Sequence, residues 1–341
     1  MSRSDQSRRT ILKGAGLGMG AGLLSGLAPP AQGAETADIW THEYWANKDS
    51  VKLNLWRKRA GAPLPGEQPR PVLFLVHGSS NSSRSSYDLT VPGRGEYSLM
   101  NVFAGYGYDV WTMDHDGYGY SGSSGNNSDI ASGVADLKAA MPLVLKETGR
   151  QKAHFYGTSS GGIRAAAYAQ AQPEIVDRLL LCAFTYKGNG AAEIERRKKR
   201  IEALRASPRR KRDADMIRSI FTRDGHPSLY DPAVPEAIIA AEMKFGDTIP
   251  SGTYLDMAAN LPIVDPTKIK SPVLMLQRRP DLTPDKVKAI LRATAKDIGP
   301  KGPDEMFGAG LADAFGAITA DIAPMAAAGR RPVERVSTGA R

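Results

Sequence analysis

A serine flanked by glycines is the first feature with evident chemistry. Residues 157–161 read G-T-S-S-G, with Ser159 at the centre, between a predicted strand at 152–156 and a predicted Ala-rich helix at 161–172. A strand-to-helix reversal this tight strains the serine and requires small neighbours, which the glycines supply. The turn would present the Ser159 hydroxyl at a helix N-terminus, where the backbone N–H of Ser160 can stabilise an oxyanion.

Two further loops are predicted to lie beside Ser159. The sequence H-G-S-S at 77–80 follows the apolar run V-L-F-L-V at 72–76, which is typical of a strand buried on both faces. The backbone N–H of Ser79 can turn toward the same oxyanion, whereas His77 is expected to be a structural loop residue. The segment D-H-D-G-Y-G-Y-S at 114–121 follows a second apolar strand at 109–113, and its glycines allow a sharp turn.

The elements that position these loops alternate between strands and helices. Hydrophobic periodicity predicts a helix at 129–148 with Asp129 as its N-cap, and further strands at 39–45, 51–57, 179–184 and 273–276. Strands that alternate with helices predict the α/β class, with a mainly parallel sheet and helices on both of its faces.

The segment 185–270 interrupts this alternation. It is helical in composition and strongly charged, and we expect it to form a cap inserted over the carboxyl edge of the sheet. Ten Lys or Arg side chains fall between Arg196 and Arg212. The sequence favours a solvated helix surface for this basic run, and the alternative is attraction to an anionic substrate or membrane surface.

The three loops occur in an order and at separations that resemble the α/β-hydrolase superfamily over about residues 38–276. The resemblance implies that Ser159 is a nucleophile and that the backbone N–H groups of Ser79 and Ser160 form an oxyanion hole. It also implies an esterase- or lipase-like reaction on a small carboxylic ester through an acyl-enzyme, with no cofactor. Cys182 is the only cysteine, which excludes an intrachain disulfide and a thiolate metal cluster.

In this superfamily an acid and then a histidine follow the nucleophile. Asp281 comes after the predicted strand at 273–276, where the acid is expected, although a structural aspartate at a helix start is an equal interpretation. No histidine follows Asp281. Because a serine hydroxyl needs a base, the candidates are His226 in the predicted cap and His115 in a loop near the site.

The tail has a different resemblance. From about residue 277 the sequence, including G-P-D-E-M-F-G-A-G-L-A-D-A at 302–314, resembles the end of a subtilisin-like protease. We therefore hypothesise a junction near Leu276, beyond which the last strand and helix of the hydrolase are missing or atypical. The predicted organisation is an α/β-hydrolase core at 35–184, a cap at 185–270, the end of the core with an atypical tail at 271–320, and a disordered tail at 321–341.

Residues 1–34 resemble a signal peptide of the twin-arginine type. The pair Arg8 and Arg9 precedes an apolar, Gly-rich run at 14–27 and then small residues, with cleavage expected near 31–34. We expect export through the twin-arginine machinery to the periplasm or beyond, and a membrane anchor is the alternative. The formal net charge of +9 is concentrated in the first 13 residues and the basic run, so the sequence predicts no nucleic-acid partner.

The sequence leaves three functions open. One is an exported serine hydrolase, and another is a catalytically inactive protein that keeps the pocket and acts at most as a binding protein. A histidine within hydrogen-bonding reach of the Ser159 hydroxyl would separate these two. The third function, a peripheral membrane or polyanion binder, depends only on the basic run from Arg196 to Arg212.

Overall fold

The computed structural model describes residues 38–222 and 230–276. Within these ranges the strands are Ile39–Lys48 (β1), Val51–Ala60 (β2), Val72–Val76 (β3), Asp109–Met113 (β4), Ala153–Thr158 (β5), Val176–Cys182 (β6), Arg209–Lys211 (β7), Thr248–Pro250 (β8) and Val273–Leu276 (β9). The α-helices there are Ser83–Tyr87 (α1), Leu99–Gly105 (α2), Ile130–Thr148 (α3), Ser160–Ala171 (α4), Ala192–Lys198 (α5), Ile201–Ala206 (α6), Ala214–Thr222 (α7), Ala233–Glu242 (α8) and Gly252–Ala259 (α9).

Seven of these strands form one twisted sheet in the order β1-β2-β4-β3-β5-β6-β9. The pairs β1–β2 and β2–β4 are antiparallel, and every other neighbouring pair is parallel. Val76 pairs with Gly157 and Thr158 pairs with Cys182, so the carboxyl ends of the central strands meet at one edge. In a parallel sheet this edge is where loops from different strands can build a site. The observed sheet confirms the predicted α/β class.

The core lies on both faces of the central strands. Phe74, Trp111 and Phe155 are inaccessible to solvent, and the apolar side of α3 and the Ala-rich helix α4 pack over them. Helix α3 begins after Asp129, whose side chain accepts a hydrogen bond from the backbone N–H of Ser132, as the N-cap prediction required. The strongly apolar strands β3 and β4 are buried along their whole length, because helices cover both faces of the sheet.

Most predicted elements match the observed ones, with shifts at their ends. Strands β3, β4 and β9 have the predicted bounds. The strand predicted at 179–184 instead spans Val176–Cys182. It starts earlier because Val176 pairs with Ala153, and it ends earlier because Ala183 has a φ of 51°, outside the extended region.

We call the segment between β6 and β9 the inserted segment (183–272). Its described residues are mainly helical, as predicted, but they also include an antiparallel pair of short strands, β7 and β8. The basic run is therefore not a single helix surface. Arg196, Lys198 and Arg205 are largely exposed and pair with glutamates three residues away, as expected for a solvated surface. Arg210 and Arg212, in contrast, are buried against the core, which corrects the prediction for this end of the run.

Several predictions lie outside the described residues: the signal at 1–34, His226, Asp281, and the tail from 277 onward. In the described part of the chain, no helix has both the length and the apolar character that crossing a membrane requires. Strand β9 is the last strand of the described sheet, and Val273, Leu274 and Met275 on it are each more than a third exposed.

Candidate active site

Ser159 occupies a strained turn between β5 and α4. Its φ of 58° and ψ of −125° lie in a region that non-glycine residues rarely adopt, at a cost of about 1–3 kcal/mol. Its backbone N–H donates to the carbonyl of Cys182 at 2.8 Å, and its own carbonyl accepts from Gly162 at 3.0 Å. A Cβ on Gly161 would overlap the carbonyl oxygen of Val76. The sequence G-T-S-S-G therefore has the geometry predicted for it.

The loop after β3 lies directly against this turn. A Cβ on Gly78 would be 3.1 Å from the carbonyl oxygen of Thr158 and 3.5 Å from the Cβ of Ser159. The hydroxyls of Ser79 and Ser160 are hydrogen-bonded to each other at 2.5 Å. The two serines predicted to supply oxyanion donors are thus adjacent, and within the described chain the backbone N–H of Ser79 has no acceptor.

A hydroxyl from the inserted segment completes this contact. Thr253, buried in α9, donates from its Oγ1 to the Oγ of Ser79 at 2.8 Å. The three hydroxyls of Thr253, Ser79 and Ser160 form a continuous chain that fixes the loop after β3 relative to the start of α4. Nothing in the sequence pattern around Thr253 indicates this role.

Two histidines lie behind the site, and both have structural partners. His77 is fully buried. Its Nε2 accepts from the backbone N–H of His115 at 3.1 Å, so its proton lies on Nδ1, which donates to the carbonyl of Gly78 at 2.8 Å. Burial, together with nearby His115, holds the pKa of His77 well below its usual value. His77 is therefore a neutral residue that shapes the loop, in agreement with its predicted role.

His115 forms a buried pair with Asp136 of α3. Its Nδ1 lies 2.9 Å from Oδ2 of Asp136, and its Nε2 has no partner among the described residues. Burial, assisted by the Arg164 guanidinium, lowers the pKa of His115 to about 4. Burial opposes ionisation of Asp136, but the contacts from His115 and Lys48 outweigh it and lower the pKa of Asp136 to about 2. The rings of His115 and His77 are in contact, with their centroids 4.8 Å apart and their planes tilted by 57°.

The other described histidines lie on strands. His42 stacks with Trp40 on β1, and Nδ1 of His154 lies 3.2 Å from Oδ2 of Asp177. Over residues 38–222 and 230–276, no histidine nitrogen forms a hydrogen bond with the hydroxyl of Ser159. The structure thus brings together Ser159, Ser79 and Ser160, while the predicted base His226 and acid Asp281 lie outside the described residues.

Arginines of the inserted segment attach it to the loop after β3. Arg210 donates to the carbonyl of Ser79 at 3.0 Å, and its guanidinium lies 3.8 Å from the ring centroid of Tyr254. Arg212 forms a buried ion pair with Glu242 of α8. Glu242 also accepts from the backbone N–H of Ser82 at 2.7 Å and from its hydroxyl at 2.5 Å. Charge-assisted hydrogen bonds of this kind are strong and position both partners.

A cavity of about 280 Å³ opens at Ser159. Its described lining combines backbone, hydroxyl and aromatic groups with one cation: Gly78, Ser79, Ser80, Asn81, Ser86, Tyr87, Thr158, Ser159, Arg197, Ile220 and Tyr254. The strained Ser159 thus lines a cavity at the N-terminus of α4, where the positive end of the helix dipole favours negative charge.

The sheet order, the strand–serine–helix turn and the adjoining loop after β3 define an α/β-hydrolase. A family model described as serine aminopeptidase, S33, matches residues 67–277. The chain belongs to this family, since the match covers more than half of its length. The matched region ends one residue beyond β9.

Curated relatives agree on the hydrolase class. Lipase 3 of Drosophila melanogaster is 33% identical over 150 residues, which is 40% of this chain and 37% of that protein. A 2-hydroxy-6-oxononadienedioate/2-hydroxy-6-oxononatrienedioate hydrolase of Paraburkholderia phymatum is 34% identical over 115 residues, 33% of this chain and 35% of that protein. The chain thus spans little more than a third of the length of these relatives.

Among solved structures, a 2-hydroxy-6-oxo-6-phenylhexa-2,4-dienoate hydrolase from Rhodococcus superposes with a TM-score of 0.49 at 16% identity, covering 70% of this chain and 81% of that one.

Proposed function

We propose that the protein is a serine hydrolase that cleaves small carboxylic esters through an acyl-enzyme on Ser159. The observation that carries this proposal is the strained conformation of Ser159 at the floor of a 280 Å³ cavity, beside Ser79 and Ser160. A protein retains backbone strain of this kind at sites where the conformation serves a function. Membership of a hydrolase family and similarity to lipases support the same class of reaction.

In the proposed reaction the Ser159 hydroxyl oxygen attacks the ester carbonyl carbon while a base removes the hydroxyl proton. The backbone N–H groups of Ser79 and Ser160 stabilise the negative charge on the carbonyl oxygen. The tetrahedral intermediate then expels the alcohol, which takes the proton from the base. A water molecule attacks the acyl-enzyme by the same steps in reverse, and releases the carboxylic acid and free Ser159.

The base in this proposal is His226, oriented by Asp281. In the described chain, none of the other four histidines forms a hydrogen bond with Ser159. His226 follows α7 in the sequence, and Ile220 of that helix lines the cavity. The inserted segment would then act as a cap that both closes the pocket and supplies the base. Asp281 follows β9, whose carboxyl end lies next to that of β6.

The test is covalent labelling of the purified mature protein with a fluorophosphonate, followed by intact mass measurement. A single adduct that is absent from Ser159→Ala is the expected result. His226→Ala should slow labelling at least 100-fold, because base catalysis contributes about that much or more. His115→Ala is the comparison, because His115 is the other candidate for the base. Labelling of wild type that persists undiminished in His226→Ala would refute the assignment of the base.

A second candidate is a catalytically inactive α/β-hydrolase that binds a small ligand in the cavity. The observation that favours it is that, within the described chain, no histidine forms a hydrogen bond with the Ser159 hydroxyl. Folded wild-type protein that forms no fluorophosphonate adduct would support this candidate over the enzyme.

For localisation, we propose export through the twin-arginine machinery and removal of about the first 34 residues. The arginine pair and the apolar run after it support this proposal. Replacing Arg8 and Arg9 by lysine should retain the precursor in the cytoplasm, as shown by fractionation and by the mass of the N-terminus. Unchanged export of the lysine variant would contradict a twin-arginine route.

A further inference from the structure

One arginine of the basic run lies in the wall of the cavity. Arg197, on α5, lines the cavity together with Ser159, and its side chain is 13% exposed. No carboxylate belongs to the described lining, so Arg197 is the charged group that a bound molecule would meet there. A neutral ligand would displace water from the remaining N–H groups of this cation without replacing its hydrogen bonds, whereas an anion on the ligand would replace them.

Among the described residues, the positive charge around Arg197 exceeds the negative charge. Glu193 is the carboxylate that pairs with Arg197, at 3.1 Å, but it also pairs with Arg196 at 2.5 Å. Arg210, which is only 8% exposed, has no carboxylate within 4 Å in the described chain. Arg197 and Arg200 are close enough to Arg210 to lower its pKa, although burial is the larger cause. In the described chain, Arg197 therefore lies in the cavity wall next to other cations that share few carboxylates.

Tyr254 holds the Arg197 guanidinium in place. The guanidinium carbon of Arg197 lies 4.4 Å from the centroid of the Tyr254 ring, and that of Arg210 lies 3.8 Å from the same centroid. Nη1 of Arg197 contacts the sulfur of Met257 at 3.1 Å, and its Nε donates to Glu193 at 3.1 Å. A planar guanidinium that stacks on an aromatic ring is pre-organised, and it retains N–H donors for a carboxylate.

We propose that Arg197 binds a carboxylate of the substrate, so that the preferred ester is one that carries a negative charge near the scissile bond. This inference rests on the proposed hydrolase function, since it names the substrate class of the same site. The carboxylate can belong to the acid component, as in the half ester of a dicarboxylic acid, or to the alcohol component. The recognising chemistry is the same in both cases, and the substrates used in the test separate them.

The test compares charged and neutral esters of equal chain length. Mono-ethyl adipate carries a carboxylate on the acid side, hexanoyloxyacetate carries one on the alcohol side, and ethyl hexanoate is neutral. We expect wild-type kcat/KM for one of the charged esters to exceed that for ethyl hexanoate. Arg197→Gln should lower this ratio about 10- to 100-fold, the effect of losing a charged hydrogen-bonding partner.

Arg196→Gln is the matched control. Arg196 is the neighbouring arginine, pairs with the same Glu193 and is 56% exposed, but does not line the cavity. It should leave the ratio unchanged within about twofold, since an exposed pair contributes little. A ratio that changes equally in both variants, or in neither, would overturn the proposal.

The salt dependence of the wild-type enzyme tests the proposal without a variant that could misfold. The preference for the charged ester should fall as sodium chloride is raised from about 0.02 to about 0.5 M, because salt screens the attraction. A preference that does not respond to salt and a wild type that prefers ethyl hexanoate would each contradict the inference.

Binding without turnover separates this inference from the proposed function. In the Ser159→Ala protein, adipate should bind in calorimetry, and adding Arg197→Gln should weaken it at least tenfold. If wild type forms no fluorophosphonate adduct yet adipate binding depends on Arg197, the hydrolase proposal fails and the anion site stands. If Ser159 is labelled and the ratio of kcat/KM between charged and neutral esters does not depend on Arg197, the hydrolase proposal stands and the anion site fails.

Discussion

The two walls of the candidate site are built in different ways. The wall formed by the sheet uses backbone: the strained turn at Ser159, the close approach of Gly78 and the N-terminus of α4. The wall formed by the inserted segment uses side chains: Arg197, Ile220 and Tyr254 line the cavity. Behind them, Arg210 and Arg212 donate to carbonyl groups of the loop after β3. The proposed reaction therefore depends on the wall formed by the sheet, and the proposed selection of the ligand depends on Arg197 of the inserted segment.

Because the two walls are built differently, we expect substitutions in them to change stability by different amounts. The largest effect is expected where the inserted segment is attached, at Glu242. Glu242→Ala leaves the Arg212 cation buried without its carboxylate and removes the acceptor for Ser82. We expect a loss of about 3–5 kcal/mol in the free energy of unfolding, measured by urea titration.

The control for this variant is Glu202→Ala, which removes an exposed pair with Arg205 and should cause no measurable change. An equally small effect of Glu242→Ala would mean that the inserted segment is not held to the core by this ion pair.

On the sheet side, Gly161→Ala should destabilise the turn by about 3 kcal/mol. The added Cβ would overlap the carbonyl oxygens of Val76 and His77, which belong to the backbone and cannot rotate away. Gly105→Ala, near the end of α2, is the matched control, because no atom lies within 4 Å of its Cβ position. Thermal unfolding of the two variants measures the difference, and equal midpoints would contradict the packing described for the turn.

The buried pair of His115 and Asp136 predicts a dependence of stability on pH. In the folded protein the pKa of His115 is about 4, whereas in the unfolded chain it is about 6.5. Between these values the unfolded state binds more protons, so the free energy of unfolding should fall as the pH is lowered, by up to about 3 kcal/mol. Below pH ~4 it should fall further, as Asp136 approaches its folded pKa of about 2.

Urea titrations between pH 7 and pH 4 measure this dependence. His115→Asn removes the contribution of this group and should make the curve shallower, although buried His77 still contributes over the same range. His42→Asn, at an exposed position of β1, serves as the control. A wild-type curve that is flat from pH 7 to pH 4 would show that His115 is not held neutral by burial.

The smallest effect is expected at the contact between the two walls. Thr253→Val removes the hydroxyl that donates to Ser79 while keeping the shape of the side chain, and should lower stability by about 1 kcal/mol. Thr41→Val, at an exposed position of β1, should be neutral. If Ser79 positions the oxyanion donor as proposed, Thr253→Val should also slow fluorophosphonate labelling, and an unchanged rate would separate this hydroxyl from the site.

The sequence-based prediction was more accurate for the wall formed by the sheet than for the wall formed by the inserted segment. Strands β3 and β4 were predicted residue for residue, because strands buried on both faces are continuous apolar runs. The position of Ser159 between β5 and α4 was also predicted, because the turn requires small residues at adjacent positions. These are local constraints, and the order of amino acids expresses them directly.

The basic run shows where local inference stops. Its ten cations look alike in sequence, yet Arg196 is exposed, Arg197 lines the cavity, and Arg210 and Arg212 are buried. Strand β7 explains the end of the run, because alternate side chains of a strand point to opposite sides. Arg210 is buried, whereas Arg209 and Lys211 on either side of it are not. No periodicity in the run indicates which arginine faces Ser159.

By itself, the sequence determined the α/β class, the strand–serine–helix turn and the two loops beside it, since each depends on residues that are neighbours in the chain. The tertiary structure alone decided that Thr253 joins Ser79 and Ser160, that His77 and His115 are buried and neutral, and that Arg197 enters the cavity. Each of these results depends on contacts between residues far apart in the chain, whose partners and burial are defined only after the inserted segment folds against the sheet.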